Sequence, residues 1–339
     1  MNKKVSLKDI AEAAGVSTAL VSYVLNNKEE EARVSKGTAT RIREIAKEMN
    51  YQPNQIAKSL KSGKSQAIGL LVADISNPFF GNLARAIEDE ANKRGYTVLF
   101  GSSDENFEKS QRLIDTFLNR QIDGFIISPA EGTESQLQYL KDANVPFVLI
   151  DRYFKHLETS YVVVDNYKAT YKAAEQLLQH GHRKIAYVCY DNDLQHTEDR
   201  YRGYVQALAD WDRKDDEKLT CKVKFNNPAY FREKFVDLLQ PERGVEAILF
   251  STNTLSIMGL KIINELQLSI PDDIAVFCFD QSESYDLFYC PISYVKQPLA
   301  AIGKEAVRVL FEQLQGKKPN DQRVMLDVEM ISRTSCQKK

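Results

Sequence analysis

Polar and aromatic side chains recur in this sequence directly after segments that have the pattern of buried strands. The set combines carboxylates, guanidinium groups and side-chain amides with two phenyl rings. Carboxylate and guanidinium groups can each bind two hydroxyls of one ligand, and phenyl rings can cover a flat apolar face. This combination suits the binding of a small polyhydroxylated molecule such as a sugar. The candidate residues are Asp74, Asn77, Phe79, Phe80, Asp151, Arg152, Arg200, Asn253, Asp280 and Gln297.

The strands that must position these residues alternate with amphipathic helices. Ala67–Ala73 has the continuous apolar pattern of a strand buried on both faces, and a helix is predicted near Phe80–Arg94. Similar pairs continue to a strand at Phe147–Ile150, and a second series begins with Val162–Val164. Two βαβ series predict two doubly wound parallel sheets, and such sheets bind ligands beyond the carboxyl ends of their strands. We therefore expect the candidates to line a cleft between two α/β lobes.

Some candidates also have a purely structural interpretation. Asn77 precedes Pro78 and can serve only as the N-cap of the following helix. Phe79 and Phe80 can belong to the apolar core. The same interpretation applies to any Asp or Asn that follows a strand, so the sequence leaves both readings open.

The first 60 residues have the spacing of a helix-turn-helix unit followed by a third helix. Ser6 with Asp9 can form a capping box, Gly15 allows a tight turn, and Ser17 can cap the second helix. In such a unit the second helix enters the major groove of DNA, led by its N-terminal residues. The candidate DNA contacts on this helix and in the loop after it are Ser17, Thr18, Ala19, Ser22, Tyr23, Lys28 and Arg33.

The distribution of charge supports a role in binding nucleic acid. Residues 1–64 contain 12 Lys and Arg against 7 Asp and Glu, a net charge of +5. The remainder contains 33 against 40, a net charge of −7. A basic head on an acidic body is the asymmetry expected of a module that contacts phosphates.

The head resembles that of the lactose/galactose repressor (LacI/GalR) family. The matching residues are Leu7–Ser17, Val21-Ser22, Val24–Asn26 and Tyr51–Asn54, and the similarity continues to about Arg333. The resemblance implies a cytoplasmic, homodimeric transcription regulator, most simply a repressor, that reads palindromic double-stranded operator DNA. It also implies a body like that of the periplasmic sugar-binding proteins. In the ribose-type members of that group, the residues that match all the cleft candidates except Asp74 contact the sugar.

The predicted organisation has an all-α head, a hinge and two lobes. The expected boundaries are 1–52 for the helix-turn-helix head, 53–65 for the hinge helix and linker, 66–161 plus 293–323 for the N-lobe, and 162–292 plus 324–339 for the C-lobe.

The hinge is predicted to be a short conditional helix. Asn54 can cap a helix that ends at Leu60, but such a helix is too short to be stable alone in water. We expect two copies to pair over the minor groove, where Leu60 wedges between base steps. The alternative is an ordinary linker. The candidate DNA contacts of the hinge are Asn54, Ala57, Lys58 and Leu60.

Other functional classes find less support. No GxGxxG follows the first strand, and neither a P-loop lysine motif nor a nucleophile elbow is present. The five cysteines show no metal-binding spacing, so no cofactor or metal is expected. No secretory signal or membrane span is expected either. A Rossmann-type enzyme and a free sugar-binding protein remain as alternative classes of protein. If the protein is a regulator, a nucleobase or a sugar phosphate remains as an alternative effector.

The sequence departs from the family pattern in two places. The segment with Glu29-Glu30-Glu31 is about three residues longer than is typical of the family, and we expect a solvent-facing bulge away from the phosphates. Asn253-Thr254 stands where an Asn-Asp pair is usual.

Overall fold

The computed structural model describes residues 5–52, 63–214, 216–316 and 321–337. The chain divides into two compact units, Met1–Ser65 and Gln66–Lys339, whose described parts we call the head and the body.

The head consists of three helices around a small apolar core. Ile10, Val21 and Ile42 are fully buried at its centre, one from each helix. This follows the predicted apolar stripes, because each helix turns one face inward. The helices are α1 (Leu7–Ala14), α2 (Thr18–Leu25) and α3 (Lys36–Glu48).

The helix ends in the head form as their sequence signals predict. Ser6 and Asp9 form the capping box at the start of α1, and Gly15 ends this helix with a left-handed φ of 66°. The Ser17 side chain accepts a hydrogen bond from the backbone of Leu20 at the start of α2. These caps confirm the helix-turn-helix geometry, since they fix where each helix begins and ends.

The body alternates strands and helices. Its strands are β1 (Ala67–Val72), β2 (Thr97–Ser102), β3 (Gly124–Ile127), β4 (Phe147–Ile150), β5 (Tyr161–Val164), β6 (Ile185–Tyr190), β7 (Thr220–Val223), β8 (Ala247–Phe250), β9 (Ala275–Phe279), β10 (Ser293–Lys296), β11 (Arg323–Leu326) and β12 (Glu329–Ile331). Its helices are α4 (Pro78–Asn92), α5 (Phe107–Asn119), α6 (Glu134–Asp142), α7 (Asn166–Gln179), α8 (Gln195–Asp210), α9 (Pro228–Leu238), α10 (Asn253–Glu265), α11 (Ser284–Leu287) and α12 (Leu299–Leu314).

Within the described residues the strands form two sheets of six. The first sheet has the order β11-β5-β4-β3-β1-β2, and its strand pairs are parallel. The second has the order β12-β10-β9-β8-β6-β7, in which only the β10–β12 pair is antiparallel. We call the two layered units the first lobe and the second lobe. They confirm the predicted fold class, an all-α head followed in the sequence by two doubly wound α/β lobes.

Each sheet is covered by apolar residues on both faces. In the first lobe, Ile68 and Leu71 of β1 point into separate buried clusters. In the second lobe, Val188 and Tyr187 of β6 do the same. This two-sided burial is why the strands read as continuous apolar runs rather than as alternating ones.

Three strands lie in a different sheet from the predicted one. The prediction places Val162–Val164 in the C-lobe, but β5 pairs with β4 of the first sheet. It also places residues 293–323 in the N-lobe and 324–339 in the C-lobe, whereas β10 pairs with β9 and β11 pairs with β5. The alternation of strands and helices is the same in either sheet, so only long-range pairing decides which sheet a short strand joins.

No helix among the described residues is both long enough and apolar enough to cross a membrane.

Candidate functional site

Buried polar side chains from both lobes of the body meet at the carboxyl ends of the strands. Asp151 and Arg152 follow β4 in the first lobe, while Asp280 follows β9 in the second. Arg200 projects from α8 of the second lobe and is only 2% exposed. The charges of Asp151, Arg200 and Asp280 lie close enough together to influence one another's ionisation. We call this cluster the cleft.

The first lobe contributes an acidic and basic group held rigidly together. Asp151 has a left-handed φ of 66°, which turns the chain sharply at the end of β4. The Arg152 guanidinium binds both carboxylate oxygens of Glu105, at 2.7 and 2.8 Å, and its Nε lies 3.2 Å from Oδ2 of Asp151. Burial raises the pKa of Asp151, and the nearby Arg152 and Arg200 oppose that shift.

The second lobe holds Arg200 from several sides. Its Nε donates to Oδ1 of Asn166, and its Nη1 donates to the carbonyl of Ser251, both at 2.7 Å. Its guanidinium carbon lies 3.6 Å from the centre of the Phe279 ring. A cation stacked on an aromatic face and fixed by two hydrogen bonds presents its remaining surface in one orientation.

Asp280 is a buried carboxylate with an unusual ionisation. It is 6% exposed and accepts a hydrogen bond of 2.6 Å from Nε2 of Gln297. Burial raises the pKa of Asp280 to about 6, although Arg200 and the bond from Gln297 favour its charged form. A carboxylate with so little solvent around it is ready to accept hydrogen bonds from a ligand.

An amide pair joins the two lobes. Nδ2 of Asn253 donates to Oδ1 of Asn77 at 2.9 Å. The same oxygen accepts the backbone N–H of Phe79 at 3.0 Å, so Asn77 is also the N-cap of α4. The structural interpretation of Asn77 is therefore correct, and the interlobe contact is an additional role.

The remaining candidates lie at the margin of the cleft. Phe79 and Phe80 are buried in the first-lobe core and meet edge to face, with ring centres 5.0 Å apart. Asp74 is half-buried and accepts two bonds from Ser76, which makes a local turn. It lies near Tyr190 of the second lobe. Burial and then the charges of Glu105 and Asp74 raise the pKa of Tyr190 to about 12.

Three further residues of the cleft are missed by the sequence analysis. Glu105 and Asn166 follow β2 and β5, so their positions past strand ends could have revealed them. His196, near the start of α8, is buried, and its Nδ1 has no hydrogen-bond partner within the described part of the chain. Burial, followed by the charges of Arg152 and Arg200, holds the pKa of His196 well below its ordinary value. Its imidazole is therefore neutral.

The cleft has the chemistry of a binding site for hydroxyls. Two fixed guanidinium groups donate, three carboxylates accept, and four side-chain amides and a neutral imidazole can do either. Among the residues that the structure describes, no group of three or more His, Cys, Asp or Glu is arranged to hold a metal ion.

The head presents the predicted DNA-contacting face on α2. Thr18 and Ala19 are exposed, Ser22 is half-buried, and Tyr23 is 42% exposed. Ser17 lies at the N-cap, where helix N–H groups and the positive end of the dipole meet. The exposed residues Lys28 and Arg33 flank the acidic segment. The hinge candidates Asn54, Ala57, Lys58 and Leu60 lie outside the described residues.

The acidic segment is only partly the bulge that the sequence predicts. Glu30 and Glu31 are exposed, and Glu31 pairs with Lys28 at 3.1 Å. Glu29 instead turns back onto α3, where its carboxylate contacts Arg43 at 2.5 Å. Sequence alone did not indicate this partner, because it lies 14 residues away on another helix.

Comparison with known proteins adds two family matches. Residues 6–54 match the family described as bacterial regulatory proteins, lacI family. Residues 174–336 match a periplasmic binding protein-like domain.

Relatives of known name match almost the whole chain. The regulator DegA of Bacillus subtilis is 30% identical over 98% of this chain and 98% of its own length. The ribose operon repressor of Halalkalibacterium halodurans is 32% identical over 93% of this chain and 92% of its own. These relatives are transcription regulators.

Solved structures show the same fold. The lac repressor dimer bound to operator and the anti-inducer ONPF superposes with a TM-score of 0.86 at 22% identity, covering 99% of this chain and all of that one. The transcription regulator CcpA of Lactococcus lactis has a TM-score of 0.73 at 25% identity, covering 79% of this chain and 98% of its own.

Proposed function

Because this chain belongs to the lacI family of bacterial regulatory proteins, we propose that it represses transcription and that a small carbohydrate sets its affinity for operator DNA. Its relatives are transcription regulators, and this chain is likewise a DNA-binding transcription regulator and not an enzyme. The proposal adds a cytoplasmic homodimer on a palindromic operator, a sugar in the cleft and the repressing direction of control.

The observation that carries the sugar proposal is the proximity of buried opposite charges that come from the two lobes. Asp151 of the first lobe lies close enough to Arg200 and Asp280 of the second for their charges to act on one another. These three residues and Arg152 are all less than a tenth exposed. Buried charges are costly unless hydrogen bonds satisfy them. Sugar hydroxyls can donate to the carboxylates and accept from the guanidinium groups at the same time, so one small ligand could satisfy groups from both lobes.

Such a ligand can regulate the protein because it contacts the two arrangements of the lobes unequally. A molecule held by both lobes stabilises the arrangement in which they are close, and it does so only in that arrangement. Asn77 and Asn253 touch across the lobes, so a ligand held by both lobes would reinforce a contact that the fold already makes. We expect the change in lobe spacing to be passed to paired hinge segments on the DNA.

A thermal-shift screen of the full-length chain tests the sugar proposal. The panel contains monosaccharides, sugar phosphates and nucleobases, and hits are confirmed by calorimetry. The discriminating variant is Asp280→Asn, because Asn also tolerates the left-handed φ of 69° at this position. Asp212→Asn is the matched control, since Asp212 is an exposed second-lobe carboxylate with a φ of 55°.

We expect at least one monosaccharide to raise the midpoint of unfolding of the wild type and of Asp212→Asn. Its affinity for Asp280→Asn should be about 10- to 100-fold lower, since a hydrogen bond to a charged group contributes roughly 1.5–3 kcal/mol. Hits confined to nucleobases, or an unchanged sugar affinity in Asp280→Asn, would refute the sugar proposal.

A further inference from the structure

One arginine of α3 contacts the C-terminal end of α2, beside the apolar core that packs the two helices together. Nη2 of Arg43 lies 3.5 Å from the carbonyl oxygen of Val24, in the last turn of α2, and 3.2 Å from Oδ1 of Asn27. Carbonyl groups at a helix C-terminus carry partial negative charge, which attracts a cation. The Val24 carbonyl already accepts the N–H of Asn27 at 3.1 Å, and the guanidinium adds a second, longer contact that links the end of α2 to α3.

Glu29 in turn holds this arginine in place. Its Oε1 accepts from Nη2 of Arg43 at 2.5 Å. The bond to Arg43 lowers the pKa of Glu29, so the carboxylate is charged near neutral pH. Its other carboxylate oxygen is shielded from solvent and has no hydrogen-bond partner among the described residues. Glu29 is therefore committed to Arg43 rather than extended into solvent.

The backbone around Glu29 fixes where its side chain can reach. The N–H of Lys28 donates to the carbonyl of Tyr23 at 2.9 Å, which continues the end of α2. The N–H of Val34 donates to the carbonyl of Glu29 at 2.8 Å, which closes the acidic segment on itself. The segment is thus a folded turn between α2 and α3.

We propose that Glu29 is a positioning residue that orients α2 through Arg43, and that it thereby supports discrimination between DNA sequences. The inference rests on the DNA-reading role proposed for the exposed face of α2. Tyr23 belongs both to this face and to the backbone contact that begins the turn, so a shift of the turn moves a candidate reader directly.

The positioning role and the simple loss of a negative charge predict opposite changes in the affinity for the preferred duplex. Removing a negative charge near DNA should strengthen binding to every duplex, because phosphate attraction does not depend on sequence. If Glu29 orients α2, its removal weakens binding to the preferred sequence while random duplex is bound at least as well as before. A general folding defect would lower both affinities together and leave their ratio unchanged.

The test compares Glu29→Gln with Glu30→Gln in the full-length chain. Both variants remove one negative charge from the same turn, but Glu30 is exposed. The probes are a preferred duplex, selected from a random library with the wild-type chain, and a random duplex of the same length.

For Glu29→Gln we expect the ratio of the affinity for the selected duplex to that for the random duplex to fall about three- to tenfold. This is the effect expected when a partly exposed ion pair is lost from both heads of a dimer. Glu30→Gln should keep the wild-type preference. Equal preference in both single variants would overturn the proposal.

A second measurement tests the contact without DNA. Amide hydrogen exchange across residues 18–34 should be faster in Glu29→Gln than in Glu30→Gln, while exchange in the body stays unchanged. Equal exchange in the two variants would overturn the positioning role. Faster exchange with an unchanged DNA preference would confirm the contact but refute its part in reading DNA.

Discussion

Nδ2 of Asn253 lies 2.9 Å from Oδ1 of Asn77, and this hydrogen bond connects the start of α10 in the second lobe to the start of α4 in the first. Since Oδ1 of Asn77 also caps α4, a single oxygen serves the local fold and the closure of the cleft. Arg200 donates to the carbonyl of Ser251, two residues before Asn253, so the bond lies at the same strand end as this buried guanidinium.

Asn253→Ala should shift the lobes toward an open arrangement. The lost hydrogen bond contributes about 0.5–1.5 kcal/mol, which corresponds to a change of roughly two- to twelvefold in the ratio of open to closed molecules. Amide exchange of the segments around Asp151 and Asp280 should become faster. Asn264→Ala, on an exposed position of the same helix, is the control. Identical exchange in the two variants would show that the bond does not restrain the lobes.

Glu105→Gln should destabilise the body by about 2–4 kcal/mol, because it leaves the buried Arg152 with only part of its counter-charge. The side chains of this pair are mostly buried and the contact is bidentate. Urea unfolding of the full-length chain measures the loss. Glu108→Gln, which changes an exposed glutamate on α5, should cost less than about 0.5 kcal/mol. A cost for Glu105→Gln as small as that of the control would mean that Asp151 alone satisfies Arg152.

Asp280 should make the stability of the body depend on pH between about 4 and 6. Its folded pKa of about 6 lies above the ordinary value. As pH rises through this window the unfolded chain ionises first, so the free energy of unfolding falls by up to about 3 kcal/mol and stays lower above pH 6. Asp280→Asn lacks this decrease, and Asp212→Asn keeps it. Parallel pH profiles for the wild type and Asp280→Asn would contradict the raised pKa.

Tyr23→Ala should cost about 1–3 kcal/mol on a selected duplex and relax the preference at one base pair. The exposed ring on α2 is the reason for this expectation. Tyr139→Ala, which removes an exposed tyrosine from α6 of the body, should leave DNA binding unchanged. Equal losses for Tyr23→Ala on selected and random duplexes would assign Tyr23 to backbone contact or to folding.

Local signals made the head predictable from sequence. The capping box of Ser6 and Asp9, the left-handed Gly15 and the N-cap Ser17 each act within a few residues, and the structure has them where the sequence indicates. Arg43 and Glu29 are the exception. Their contact depends on how a turn folds back onto another helix, and no short-range pattern encodes that.

The sequence by itself determined the alternation of strands and helices and the placement of Asp151, Arg200 and Asp280 near strand ends or helix starts, because burial on both faces of a sheet leaves continuous apolar runs. The tertiary structure alone decided that β5 and β11 join the first sheet and β10 the second. It also decided that Glu105 is the partner of Arg152 and that Phe79 and Phe80 pack in the core. The physical reason is range: strand pairing and ion pairing between distant residues depend on the energy of the whole assembled lobe, whereas apolar periodicity and helix caps depend only on near neighbours.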